Sequence, residues 1–161
     1  MNYDIVIGRD DNLAKELGNK GLIFLGKQYV KMGQFSSLSN RIMLDVATSH
    51  IILISGKKGS GKSYFLSVMA EEMSHLPEEV NKNIAILMID TMGIFWSMKY
   101  PNSRQEDELR EWNLKPQGLN VKVYTPAGKF KEYKDKGIPT DFSFSIKPNE
   151  LSASDWCNVF S

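Results

Sequence analysis

The stretch Ile51–Ala70, IILISGKKGSGKSYFLSVMA, runs from an apolar segment through closely spaced glycines into a helical pattern. Its octet Gly56-Lys57-Lys58-Gly59-Ser60-Gly61-Lys62-Ser63 fits G-x-x-x-x-G-K-[ST], and it stands in the strand–loop–helix setting that this phosphate-binding pattern requires. The spacing follows from the chemistry. Gly56, Gly59 and Gly61 allow positive φ and a close approach of backbone to a polyphosphate. The amides of Gly59 to Ser63 then converge at a helix N-terminus, where the macrodipole favours anions. Lys62 is placed to neutralise the β- and γ-phosphates, and the Ser63 hydroxyl to ligate Mg²⁺. A glycine-rich turn before a surface helix would not need all four specified residues with both flanks correct. The cofactor-binding candidates are Gly56, Lys57, Lys58, Gly59, Ser60, Gly61, Lys62, Ser63 and Tyr64, with ATP and Mg²⁺ the expected ligands. Lys57 and Lys58 occupy variable positions; they add positive charge without a specific role.

Outward from the loop, the pattern is α/β. His50 to Ile54 is almost wholly apolar, as a parallel strand buried on both faces would be. Tyr64 to Met73 follows as a helix with Phe65, Val68, Met69 and Met73 on one face, ended at His75-Leu76 by Pro77. Asn83 to Asp90, NIAILMID, reads as a second buried strand, so the unit implies a right-handed crossover and a parallel pair. Asp90 ends that strand in the form of a Walker B acid. Lys62 and Asp90 are therefore the catalytic candidates, and Ser63 and Asp90 the metal-ligating ones. The same form marks any strand end in an α/β sheet, so a structural role for Asp90 stands beside the chemical one. Thr91 to Trp96 falls at the C-terminal edge of the sheet, where such folds place ligands. Further on, Ser103 to Trp112 reads as a solvated helix and Val121 to Thr125 as a third strand, followed by a Pro126-Ala127-Gly128 turn. The basic run Lys129 to Lys136 reads as a solvated loop or edge, with Phe130 and Tyr133 leaving nucleic-acid contact open. Asp141 to Ile146 alternates like a strand, and Leu151 to Phe160 is a helix capped by Ser152 or Ser154.

Ahead of the loop the chain is rich in short strand patterns. Tyr3 to Ile7 alternates; Asp10-Asp11-Asn12 offers N-cap oxygens to a helix through Leu17, with Gly18 as its left-handed stop. Gly21 to Gly26, Gln28 to Met32 and Arg41 to Val46 follow as separate strands between turn residues. Residues 1–48 thus read as a small β-rich module, too short for an independent core and leaning on the segment after it. Residues 49–161 read as the N-terminal part of a P-loop ATPase domain with a mainly parallel sheet.

At 161 residues, 42% apolar and 24% charged, the composition is that of an ordinary globular domain, and the net charge of +1 gives no global signal for nucleic acid or membrane. No apolar run approaches the roughly 20 residues that span a bilayer, and the N-terminus has no signal-peptide form. The single cysteine, Cys157, excludes a disulfide framework and reads as a small buried hydrophobe. A cytoplasmic, reducing setting fits. His50 and His75, at a strand start and a helix end, read as structural or capping residues rather than metal ligands. No strand after Asp90 ends in Asp-Glu, and no arginine is aimed by its spacing at a γ-phosphate, although Arg104 and Arg110 lie in the polar segment. The sequence therefore reads as the N-terminal part of a longer ATPase, with its second metal-shell acid, catalytic glutamate and arginine finger beyond Ser161.

The phrase GLIFLGKQYVKMGQFSSLSNRIMLDVATSHIILISGKKGSGKSYFLSVMAEEM resembles the HerA-like ATPases, hexameric motors of archaea and bacteria related to FtsK. The resemblance covers about Gly21 to Lys99 and resumes weakly over Pro148 to Phe160. It rests on Leu44-Asp45-Val46 leading to His50, on the GKKGSGKSY loop, and on IDTMGIFWSMKYPN after the second strand. It implies an incomplete RecA-like three-layer core preceded by a small barrel-like module, ATP hydrolysis between subunits of a homo-oligomeric ring, translocation on DNA, and work with a nuclease partner in DNA processing. Lys62 and Ser63 carry over as phosphate and Mg²⁺ ligands. Asp90 matches the acid of the family's D-P-x-G-E phrase, with Thr91 in place of the proline and Ile94 in place of the glutamate. Two other classes compete with the motor: a kinase-like phosphotransferase or nucleotide-dependent switch, and an inactive binding or scaffolding module.

Overall fold

A computed structural model describes residues 3–160. The chain divides into two compact units, one up to Thr91 and one from Met92.

The first unit begins with β1 (Ile5–Ile7) and α1 (Asp11–Leu17). Asp10 caps α1 as its sequence position demands, its carboxylate accepting from the amides of Asn12 and Leu13 at 2.9 Å each. Gly18 ends the helix at φ 54°, ψ −120°, with positive φ but outside the left-handed helical well. The three short strands expected over 21–46 are instead two long ones, β2 (Leu22–Met32) and β3 (Phe35–Asp45), paired antiparallel around Gly33-Gln34. Gly26 is not a boundary. The register shifts between Phe24 and Gly26 and again between Lys27 and Tyr29, so the punctuation in the sequence marks β-bulges inside a continuous strand. β1 adds in parallel to β3, with Ile5 opposite Ile42, giving the order β1–β3–β2.

Ile23 and Leu44 face each other in the β2–β3 register and are buried, as is Ala70 of α2 (Lys62–Ser74). The amide of Phe24 donates to Glu72 Oε2 at 3.2 Å, tying β2 to α2. The β-rich module thus leans on the helix that follows the phosphate loop. His75 caps α2, and a short helix that the sequence pattern does not announce, α3 (Glu78–Asn81), starts after Pro77. Asn81 turns back to donate to the Ser74 carbonyl at 2.5 Å.

Two expected strands take another form. Residues 51–57 and 84–90 carry no strand ladder, and Ile51, Leu53, Leu87 and Ile89 are strongly exposed. An apolar run sets a preference for extended backbone; a parallel ladder is made wholly of bonds to other segments, which the run does not specify.

In the second unit, a 3₁₀ turn at Phe95–Lys99 is followed by another at Ser103–Gln105, which leads into α4 (Glu106–Glu111). β4 (Tyr124–Pro126), α5 (Ala127–Asp135) and β5 (Phe142–Phe144) form a strand–helix–strand unit with the strands parallel. The Tyr124 and Phe142 rings stack at 5.0 Å across it. Most of the turn expected at 126–128 and of the loop expected at 129–136 is thus one helix, from Ala127 to Asp135. Pro126, at φ −51°, pre-sets its start, and Glu132 pairs with both Lys129 and Lys136 along it. Lys99 Nζ holds both oxygens of Asp141, which also accepts from the Val123 amide at 2.7 Å. These bonds hold the Asp141 carboxyl below its ordinary range, Lys99 contributing most.

The last helix, α6 (Ala153–Phe160), starts with Ser152 and Asp155 capping each other, as expected of Ser152. Cys157 on α6 is exposed, which corrects its reading as a buried hydrophobe. The fold is mixed α/β, with helices, one mixed sheet and one small parallel sheet. Among the described residues no helix is long and apolar enough to cross a membrane.

Candidate functional site

The loop between residue 55 and α2 is shaped by its glycines. The Ser60 amide donates to the Lys57 carbonyl at 3.2 Å, closing a turn whose third residue, Gly59, has φ +80°. A β-turn with positive φ at that position favours glycine. Gly61 is the N-cap of α2 at φ +87°, in the left-handed region, and its carbonyl accepts from the Phe65 amide at 2.8 Å. Gly56 departs from the expectation: it has no positive φ. It leaves room for Ser60 instead, whose Oγ would lie 2.5 Å from a Cβ at that position and would have to turn away. No side chain caps α2, so its first-turn amides face outward at the positive end of a thirteen-residue helix. That is a cradle for an anion. Lys62 Nζ donates to the Lys57 carbonyl at 2.9 Å, which curls the ammonium over the loop. Ser63 and Tyr64 are beside it, Tyr64 exposed, and the Ser63 carbonyl accepts from the Ser67 hydroxyl. These residues fit a nucleotide phosphate with a divalent cation: backbone donors and one ammonium for the oxygens, one hydroxyl for the metal.

A second cluster stands just ahead of the loop. Asp45, at the end of β3, is fully buried, and so is the guanidinium of Arg9 from the turn after β1. Arg9 donates twice to Asp45 Oδ1, and also to the carbonyls of Gly18 and Lys20 at 2.5 and 2.6 Å. The other carboxylate oxygen accepts from the Thr48 amide at 3.2 Å and from its hydroxyl, and lies 3.0 Å from His50 Nε2. Burial on its own would raise this carboxyl's pKa. The hydrogen bonds from Thr48, His50 and Arg9, with the Arg9 charge, outweigh it and hold Asp45 ionised well below the usual carboxylate range.

The family described as helicase HerA, central domain, matches residues 30–161. The chain belongs to this family. It is thereby a member of the P-loop ATPases of the HerA type, and the match covers both the phosphate loop and the Asp45–His50 segment. No curated protein and no solved structure matches the chain.

Within this HerA-family chain, the structure brings Gly56, Lys57, Ser60 and Lys62 together as one compact loop. A cavity of about 650 Å³ opens beside it, lined on the loop side by Ser60, Gly61 and Lys62. Asp90 is not among the residues lining that cavity; it stands at the end of segment 84–90, which carries no strand ladder. Arg110 pairs with Asp107 at 3.4 Å on the exposed face of α4. In the sequence, Asp45 stands out only as a mark of resemblance, His50 as that and as a structural or capping residue, and Arg9 and Thr48 do not stand out at all. The Thr48 spacing, three residues after a strand-ending aspartate, is a usable signal; that Arg9 folds back 36 residues to the same carboxylate is not encoded locally.

Proposed function

We propose that this chain binds Mg-ATP on Gly56–Tyr64 and serves a DNA-translocating ATPase of the HerA type. The observation that carries the proposal is the uncapped N-terminus of α2, preceded by two left-handed glycines and overlain by Lys62. In this reading the first-turn amides and Lys62 hold the phosphates, the Ser63 hydroxyl takes Mg²⁺, and Asp90 supplies an acid to the metal's shell. Bound Mg²⁺ would supply charge neutralisation at the β- and γ-phosphates. We assign residues 1–48 to a small β module and residues 49–161 to the N-terminal part of a RecA-like three-layer core. The loop-to-helix order around Gly56 and the family match support that assignment. DNA as substrate track, a nuclease partner, a homo-oligomeric ring and a cytoplasmic setting rest on the family resemblance.

Steady-state phosphate release by the full gene product, with and without duplex DNA, tests the function. Stimulation by DNA, lost in Lys62→Ala, is the expected result. Phosphate transfer to a small acceptor, indifferent to DNA, would contradict the motor and favour a phosphotransferase.

A further inference from the structure

Nucleotide binding as described does not use the buried cluster ahead of the loop, yet its last member lies next to the segment that carries the loop. Arg9 alone would neutralise Asp45. Thr48 and His50 add hydrogen bonds on the opposite oxygen, so Asp45 is gripped from both sides. Gly8, at φ +85°, lies beside the His50 ring, and a Cβ there would come within 3.0 Å of Cε1. Only a glycine both adopts that backbone conformation readily and leaves room for the imidazole.

Residues 51–57, after His50, carry no strand ladder, and Ile51 and Leu53 are exposed. The path to Gly56 runs between His50 at one end and α2 at the other. The cavity beside the loop shows the same relation: Ile7, Leu25 and Leu44 of the β module line it opposite Ser60, Gly61 and Lys62. A phosphate cradle built from backbone amides works only while those amides stay in register with the phosphate oxygens, and small displacements cost large factors.

We infer that the Asp45–His50 pair anchors the phosphate loop to the β module, with His50 acting as a positioning residue for nucleotide binding. The inference rests on the reading of Gly56–Tyr64 as the nucleotide site. His50 touches no phosphate in this scheme. It acts through the backbone it holds, using the ring nitrogen that faces Asp45 and Thr48.

The test compares Mg-ATP affinity by calorimetry with thermal melting for wild type, His50→Ala, His50→Gln and Lys62→Ala. Glutamine can present an amide nitrogen near the place of Nε2, whereas alanine cannot. His50→Ala should weaken Mg-ATP by about tenfold, the size of one charge-assisted hydrogen bond, while the melting transition stays cooperative. His50→Gln should recover most of that loss, and Lys62→Ala should abolish binding. Thr48→Val, a second route to the same pair, should move affinity in the same direction as His50→Ala. Wild-type affinity in His50→Ala alongside loss in Lys62→Ala would overturn the anchor and leave the nucleotide site standing. So would an affinity loss that merely tracks a lost folded fraction and is not recovered by glutamine. Equal affinity in wild type and Lys62→Ala would instead remove the nucleotide site itself.

Discussion

The phosphate loop and the Asp45 cluster lie close along the chain and are built on opposite principles. Residues 56–61 are exposed, and their geometry comes from backbone torsions that two left-handed glycines permit. The cluster is buried, and its geometry comes from side chains gathered between Arg9 and His50. Read as the proposed nucleotide site, the loop leaves its donors to a ligand; the cluster has its hydrogen-bonding groups already satisfied, no buried side-chain polar atom among the described residues being left unpaired. The difference teaches where each region is vulnerable. Damage to the buried Arg9–Asp45 ion pair should appear first as lost stability, and damage to the loop, or to the His50 that positions it, first as lost affinity.

The largest expected effect breaks the cluster. Asp45→Ala would leave the Arg9 guanidinium buried without its counter-charge, a change worth about 3–5 kcal/mol when one partner of a buried pair is removed. Chemical denaturation should show it, while Lys62→Ala, an exposed-loop change, should shift stability by no more than about 0.5 kcal/mol. The pH dependence has a definite sign. Asp45's folded-state pKa lies below its unfolded value, so its contribution is full above about pH 4 and is lost as pH falls below that. Asp45→Asn should flatten this acid limb of the stability curve.

A smaller effect should separate steric from torsional roles inside the loop. Gly56→Ala forces a contact with Ser60 Oγ at normal torsions, whereas Gly61→Ala has open space but a φ of +87°. Gly61→Ala should cost about 1–2 kcal/mol of conformational strain, and Gly56→Ala should lower ATP affinity with little change in melting. Smaller again, Asp90→Asn should weaken Mg-ATP binding more than metal-free ATP binding. Equal falls, or none, would make Asp90 a structural segment end. The smallest effect is expected on α5. Glu132 is held down to about 2 by Lys129 and Lys136, yet the trio is solvent-screened, so Glu132→Gln should leave the denaturation midpoint unmoved.

Legibility in the sequence follows locality. The cap at Asp10, the helix after Gly61, its stop at His75 and the Ser152 cap each depend on residues within a turn of one another, and all are readable. Gly26 misleads because a bulge glycine and a boundary glycine look alike until the partner strand is known. The helix at Ala127–Asp135 is hidden because its charge run suggests solvent rather than the i,i+3 and i,i+4 pairs it forms. Arg9 is invisible because its partner lies 36 residues away, and nothing in the intervening sequence encodes that return. Segments 51–54 and 84–90 show the converse: apolar runs that declare a strand without naming its neighbours.

Calorimetric titration of ATP with Mg²⁺ into wild type and Lys62→Ala, both verified as folded by their melting transitions, tests the central claim most directly. Lys62 caps the loop from outside through a single bond to the Lys57 carbonyl, so its removal should spare the fold and take away the one side-chain charge directed at the phosphates. Saturable binding by wild type and none by Lys62→Ala at the same concentrations is the predicted result. Indistinguishable isotherms for the two would mean that Gly56–Tyr64 is not the nucleotide site.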